Sequence, residues 1–149
     1  MLPITRILCP TDFSEPSSEA FNIAAELSGQ FGAEVLLVHI LSEIPALPPD
    51  PNFVFRVPEY EQALHVDAQH RLQKLADELV KKGVKTRTFV GHGDAGSEIV
   101  RIAREQGADL IVTATHGSTG LEHILFGSVA ERVVRLAHCP VLSVRARRR

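Results

Sequence analysis

The sequence lacks the short motifs that mark several large classes of enzyme. It contains no Gly-Lys-Ser/Thr motif, and its four lysines (residues 74, 81, 82 and 85) are confined to one short stretch. A P-loop enzyme needs that lysine to neutralise charge on a transferred phosphoryl group. A Gly-x-Ser-x-Gly elbow, a Cys/His nucleophile pair and a zinc-protease pair of histidines are also missing. We therefore predict no catalytic residues and no metal site built from the histidines.

Cysteine is scarce, and the opening residues do not resemble a secretion signal. Cys9 and Cys139 stand among apolar residues, without the spacing of a metal site. The apolar run at residues 4–9 is too short for a signal peptide or a membrane span. Buried thiols without a signal are typical of a reducing compartment, so we expect a cytoplasmic protein that does not associate with a membrane.

Positive charge is concentrated at one end of the chain. The net charge is −2, although four of the last five residues (145–149) are arginine. A nucleic-acid interface would therefore rest on this basic tail alone, and a short terminal run of charge is typical of a solvated end. We predict no nucleic-acid partner.

Apolar runs alternate with helical patterns along the whole chain. Strands are predicted at residues 4–9, 34–41, 85–90, 109–114 and 140–144, with helices between Ser14 and Gly32, from Pro58 to Lys82, between Gly96 and Gly107, and from Ser128 to Ala137. The run at 34–41 is almost continuously apolar, which is typical of a strand covered on both faces. The sequence therefore predicts one α/β domain (residues 1–149), a doubly wound open sheet of five parallel strands with helices on both faces.

Residues 42–58 interrupt this alternation. They hold five of the nine prolines together with Phe53 and Phe55. Proline cannot donate a ladder hydrogen bond, so the stretch is interpreted as a surface loop. Its aromatic residues either pin the loop to the surface or close it over a ligand.

The carboxyl ends of two strands carry the candidate binding residues. In an open parallel sheet ligands bind where the strand order reverses. If the first strand lies between the second and the fourth, a cleft opens between residues 10–12 and 114–117. Asp12 there either binds a ribose hydroxyl or makes a local turn with Ser14.

The segment from Ala114 to Ser128 joins a strand to a helix through glycines, the arrangement that binds phosphate at a helix N-terminus. Gly117, Gly127 and Ser128 fit such a site, with Ser118 and Thr119 as further donors. Ser128 also begins a capping box with Glu131, which is compatible with phosphate binding if the backbone N–H groups do the binding. His116 is either a phosphate donor or a locally bonded side chain. Gly91–Gly96 has a similar layout, but Asp94 at the helix start repels phosphate.

These motifs resemble those of the universal stress protein family over essentially the whole chain, from Pro10-Thr-Asp-Phe-Ser-Glu15 to Cys139-Pro-Val-Leu-Ser-Val144. The family motif is glycine, two residues, glycine, nine residues, then Gly-Ser or Gly-Thr. Gly117, the nine residues 118–126 and Gly127-Ser128 match it, whereas Ala114 occupies the first glycine position. If that position requires a positive φ, alanine is strained there; if it requires only a small residue, the methyl group narrows the pocket.

The resemblance implies a Rossmann-like fold of the adenine nucleotide alpha hydrolase type. It also implies a regulatory stress-response module that binds ATP, ADP or AMP, with or without Mg²⁺, and shows at most weak ATP hydrolysis. Members similar to this chain are usually homodimers that pair through the last strand, here residues 140–144. The implied binding residues are Pro10, Thr11, Asp12, Ile40, Ala114, Thr115, His116, Gly117, Gly127, Ser128 and Val129. A nucleotide-free interaction module and a slow ATPase are the alternatives.

Overall fold

The computed structural model describes residues 2–42, 57–117 and 127–146, and strands alternate with helices throughout them. The elements are β1 (Arg6–Pro10), α1 (Glu15–Phe31), β2 (Glu34–Leu41), α2 (Val57–Lys81), β3 (Thr86–His92), α3 (Ala95–Glu105), β4 (Leu110–Ala114), α4 (Ser128–Leu136) and β5 (Val141–Val144). The five strands form one parallel sheet in the order β3-β2-β1-β4-β5. The predicted doubly wound α/β fold and the central position of β1 are confirmed.

Helices cover both faces of the sheet. Ile7 and Cys9 of β1 point into a core that α1 and α2 complete, whereas Leu8 points into a second core with α3 and α4. All three side chains are fully buried. Successive residues of a strand face opposite sides, so a strand covered on both faces needs an unbroken apolar run. This requirement explains the apolar runs in the sequence.

The ends of α1 follow from its local sequence. The Ser14 side chain accepts a hydrogen bond from the Ser17 N–H, and Pro16 lies in the first turn, where its missing N–H costs nothing. Gly32 ends the helix at φ 66°, a left-handed conformation that glycine adopts without steric strain. Both predicted helix signals are confirmed.

Strand β3 is longer than predicted. Gly91 and His92 pair with Ile40 and Leu41 of β2, so the predicted loop 91–96 begins only at Gly93. A Cβ on Gly91 would lie 2.6 Å from the Ile40 Cδ1 atom. Only glycine fits at this position of the strand, because the Ile40 side chain occupies the space that a Cβ would need. Strand β1 is displaced from its predicted range of 4–9: it begins at Arg6 and ends at Pro10.

The predicted proline-rich loop (42–58) lies outside the described residues except at its two ends, and so does most of the basic tail (145–149). Within the described ranges, no helix has the length and apolar character needed to cross a membrane.

Candidate functional site

A cleft opens between β1 and β4 at the carboxyl edge of the sheet. The two strands pair only at Ile7–Leu110 and Leu8–Ile111, although both continue beyond these residues. The Thr11 N–H donates to the Val38 carbonyl of β2 at 2.8 Å. Neighbouring N–H groups of a strand point in opposite directions, so the N–H that Pro10 lacks is one that would face β4. The proline therefore ends the ladder and lets the strands separate.

The cleft has a volume of about 350 Å³. Its wall includes all the binding residues predicted from the sequence: Pro10, Thr11, Asp12, Ile40, Ala114, Thr115, His116, Gly117, Gly127, Ser128 and Val129. The fold thus brings together the ends of β1, β2 and β4 and the start of α4. Ser118, Thr119 and the remainder of the predicted loop lie outside the described residues.

Asp12 takes part in a local turn and also faces across the cleft. Its Oδ1 atom accepts hydrogen bonds from the Ser14 N–H at 3.0 Å and from the Ser14 hydroxyl. A Cβ on Gly117 would lie 2.8 Å from the Asp12 Oδ2 atom. The predicted turn is therefore present, and the carboxylate also reaches the opposite strand end. Any residue larger than glycine at position 117 would push against it.

Phe13 holds the backbone turn that follows Asp12. Its φ is 65°, and it is the one non-glycine residue with positive φ among the residues that the structure describes. The centroids of the Phe13 and His39 rings are 4.6 Å apart. The guanidinium of Arg71, a residue of α2, lies 5.0 Å from the Phe13 centroid. His39 Nδ1 also lies 2.7 Å from the Thr11 carbonyl oxygen. Hence His39 is a packed residue bonded to backbone, and these contacts hold Phe13 in a strained conformation.

The start of α4 differs from the prediction. Gly127 is the N-cap, Ser128 is the first helical residue, and within the described residues no side-chain hydrogen bond caps the helix. The predicted Ser128–Glu131 capping box is therefore wrong. The Gly127 N–H donates to the Thr115 carbonyl at 2.7 Å, which fixes Gly127 outside the helix, and the Glu131 carboxylate pairs with Arg135 at 3.6 Å.

This helix end is suited to binding an anion. The first N–H groups of a helix have no partner within it and carry the positive end of its dipole. In the part of the chain that the structure describes, no side-chain oxygen caps these groups at α4. Gly127 lets the Thr115 carbonyl approach the start of α4, because a Cβ there would lie 3.3 Å from that oxygen. The first turn of α4 at Ser128 and Val129 lines the cleft and presents this helix end to a ligand, whereas the Gly127 N–H is bonded to the Thr115 carbonyl.

Ala114 is the last residue of β4 and pairs with Val144 of β5. The φ of Ala114 is not positive, so its backbone is not strained. Of the two possible effects of this substitution, strain is excluded and narrowing of the cleft remains. His116 is half-exposed, and its Nδ1 lies 3.1 Å from the Thr115 hydroxyl, the local bond considered from the sequence.

Helix α3 contributes wall residues that the sequence did not indicate. Ala95 and Ile99 line the cleft because α3 packs closely against α4. A Cβ on Gly96 would lie 2.8 Å from the Arg132 Cβ atom, so this glycine makes the approach possible. Gly96 was the available signal, but it was interpreted only as part of a turn.

Asp94 caps α3 beside the cleft. Its carboxylate accepts a hydrogen bond from the Ser97 N–H at 3.0 Å and lies 3.3 Å from the Arg132 Nε atom. The hydrogen bonds from Ser97, together with the Arg132 charge, lower the pKa of Asp94. The residue predicted to repel phosphate is thus a helix cap, and its charge is partly balanced by Arg132.

The geometry defines an open parallel α/β protein with a ligand cleft at its topological switch point and an uncapped helix N-terminus in that cleft. The model of the universal stress protein family matches residues 3–145, and the chain belongs to this family.

Proteins of known sequence or structure are similar to this one over nearly its full length. A universal stress protein of Methanocaldococcus jannaschii, MJ0531, is 39% identical over 94% of this chain and 81% of its own length. The solved structure of a second protein of that organism, MJ0577, is 31% identical and has a TM-score of 0.83, with 98% of this chain and 99% of the other covered. A universal stress protein from Archaeoglobus fulgidus, solved in complex with dAMP, shares the fold at 20% identity and a TM-score of 0.67, over 96% and 98% of the two chains.

Proposed function

We propose that this protein binds an adenine nucleotide (ATP, ADP or AMP) in the cleft and acts as a nucleotide-responsive regulatory module in the stress response. The observation that carries the proposal is the meeting of Asp12 with the uncapped N-terminus of α4 across one cleft. A carboxylate and a helix N-terminus at a switch point are the groups that bind a ribose and its phosphates. The complex of a family member with dAMP supports the choice of adenine.

Each part of the nucleotide has a matching part of the cleft. The apolar end, formed by Pro10, Val38 and Ile40, suits the adenine ring, and its backbone groups suit the edge of the base. Asp12 accepts from the ribose hydroxyls. The phosphates then lie against Gly117 and the N–H groups at the start of α4, where small residues permit close approach.

The described wall of the cleft suits binding better than catalysis. Among the described residues it contains one carboxylate, Asp12, and neither lysine nor arginine. A Mg²⁺ ion would therefore be held chiefly by the phosphates and water. Without a cation to stabilise charge on a transferring phosphoryl group, at most weak hydrolysis is expected. Regulation instead requires that nucleotide bind two conformations of the protein with different affinity.

Calorimetric titration with ATP and Mg²⁺ tests the proposal. We expect the wild type to bind one nucleotide per chain, and Asp12→Ala to weaken binding by at least tenfold because the ribose loses its acceptor. Gly117→Val should weaken binding by a similar factor, since the new side chain meets Asp12.

Asp77→Ala is the matched control, because it removes an exposed carboxylate of α2 that is not part of the cleft wall. It should bind as the wild type does. Absence of wild-type binding at millimolar ATP would reject the proposal and favour a nucleotide-free interaction module. Hydrolysis that depends on Asp12 would favour the ATPase alternative.

The assembly and location of the protein belong to the same proposal. We infer a homodimer that pairs through β5, which lies at the sheet edge and in which Leu142 is 40% exposed. An unpaired edge strand offers backbone groups for pairing with another copy.

Free Cys9 and Cys139 support a cytoplasmic location. Burial raises the pKa of Cys9 to about 12, which makes this thiol unreactive.

A further inference from the structure

Two histidines from different elements meet outside the nucleotide cleft. His65 lies on α2 and His92 is the last residue of β3. The His65 Nδ1 and His92 Nε2 atoms are 3.2 Å apart, and the ring planes are parallel within 4° with centroids separated by 5.2 Å. Since the centroids are farther apart than the nitrogens, the two nitrogens form the facing edges of the rings.

The pair is accessible and has an acidic neighbour. His65 is half-buried, His92 is exposed, and neither belongs to the wall of the nucleotide cleft. The Glu98 carboxylate lies beside the end of β3, where a Cβ on Gly91 would be 3.5 Å from its Oε2 atom. Arg101 holds that carboxylate at 2.8 Å. Solvent therefore reaches the two imidazoles, and a negative charge lies nearby.

We propose that His65 and His92 form a two-histidine binding site for a divalent transition-metal ion of the kind that prefers imidazole, such as Zn²⁺ or Cu²⁺. Neutral imidazole nitrogens are the commonest protein ligands for these ions. Two zinc–nitrogen bonds of roughly 2.0–2.1 Å at a tetrahedral angle place the nitrogens about 3.3–3.4 Å apart. The observed 3.2 Å is close to this separation, and both rings must turn so that their nitrogen lone pairs point at one ion, which the exposure of His92 allows.

The remaining coordination positions belong to water. Among the described residues no group of three or more His, Cys, Asp or Glu side chains is arranged to hold a metal ion. The site thus has two protein ligands and is open to solvent, unlike a closed structural zinc site with four protein ligands. The ion would join α2 to the end of β3. Its two ligands are 27 positions apart in the sequence. No local spacing in the sequence marks this pair, because its two histidines lie on different elements.

Calorimetric titration of tag-free, nucleotide-free full-length protein with Zn²⁺ tests the proposal. We expect one Zn²⁺ per wild-type chain, with affinity reduced at least tenfold in His65→Ala and in His92→Ala. His70→Ala is the matched control, because His70 is an exposed histidine on the same helix, and it should stay within about twofold of the wild type. A ligand that binds only the folded state also raises the melting temperature, so Zn²⁺ should raise it in the wild type and control alone.

A second measurement needs no variant. In histidine-selective NMR spectra, the ring signals of His65 and His92 should change with Zn²⁺ before those of the other histidines. Absence of binding at millimolar Zn²⁺ would overturn the proposal. It would also be overturned by unchanged affinity in both alanine variants, or by NMR changes at other histidines first.

Discussion

At the scale of single residues, Phe13 and Ala114 show that backbone conformation cannot be inferred from residue type alone. Phe13 has positive φ although it is bulky, and it is held there by ring contacts with His39 and Arg71. Its strain lies next to Asp12, at the cleft, where strained residues are common. Ala114, in contrast, stands at a motif glycine but is an ordinary extended strand residue. The motif alone does not distinguish these two cases.

Replacing Ala114 with glycine should therefore not improve the fold. Because no strain is relieved and a strand residue gains backbone freedom, we expect a loss of about 0.5–1 kcal/mol in the free energy of unfolding, measured with urea. ATP affinity should change less than threefold if the methyl group leaves enough room. Binding gained only in the glycine variant would instead show that this methyl group closes the cleft.

At the scale of elements, β1 and β4 are joined at one end and separated at the other. At the amino ends the Asp109 carboxylate accepts hydrogen bonds from the Thr5 N–H at 2.7 Å, the Thr5 hydroxyl at 2.8 Å and the Arg6 N–H at 3.0 Å. At the carboxyl ends Pro10 ends the pairing. The cleft therefore opens at the ligand-binding edge while the opposite edge stays closed.

Asp109→Asn should destabilise the protein in a pH-dependent way. Burial alone would raise the pKa of Asp109, but the hydrogen bonds from Thr5 and Arg6 outweigh it and lower the pKa. A lowered pKa in the folded state stabilises the fold above the unfolded value of about 3.9, and the contribution disappears as pH falls through the folded value. Urea unfolding should show a loss of about 1–3 kcal/mol at pH 7, because charged acceptors make strong hydrogen bonds.

As pH falls below the lowered pKa of Asp109 in the folded state, the free energies of the wild type and Asp109→Asn should converge, since both then carry a neutral side chain. Asp77→Asn, at an exposed position on α2, should stay within about 0.5 kcal/mol of the wild type at pH 7. A gap between wild type and Asp109→Asn that is equally large at low pH would show that shape, rather than charge, explains the effect.

At the scale of the whole molecule, the two sheet edges differ. The β3 edge carries Arg87, which pairs with Glu34 at 2.6 Å, and charged edge residues discourage pairing between copies. The β5 edge is short and carries the exposed Leu142, with Val134 and Leu136 of α4 also exposed. The apolar surface at β5 and α4 makes this end of the sheet the expected dimer interface.

Leu142→Lys should convert a dimer to a monomer in sedimentation velocity experiments, because two like charges would meet across a twofold interface. Val80→Lys is the control, since Val80 is an exposed apolar residue (56%) of α2, which packs against β2 and β3, whereas β5 lies at the other edge of the sheet. It should sediment as the wild type. A wild-type monomer, or a Leu142→Lys dimer, would contradict pairing through β5.

Local patterns were enough to predict the order of the elements and most of the residues around the cleft. Unbroken apolar runs indicate parallel strands, Ser14 and Gly32 mark helix ends, and glycines and prolines interrupt the runs at the carboxyl ends of strands. These signals depend on backbone conformation and burial within one short segment, so they can be identified from a single sequence. The candidate site followed because parallel strands bring their carboxyl ends to one edge.

Tertiary structure alone decided which groups meet and how the helix near the cleft begins. The Thr115 carbonyl holds Gly127 as the cap of α4, and the packing of α3 on α4 brings Ala95 to the cleft. The same holds for His65 and His92. Each of these contacts joins residues that are distant in sequence, and its distance depends on how whole elements pack. Such packing has no local pattern, because the side chains that set it are spread over several helices and strands.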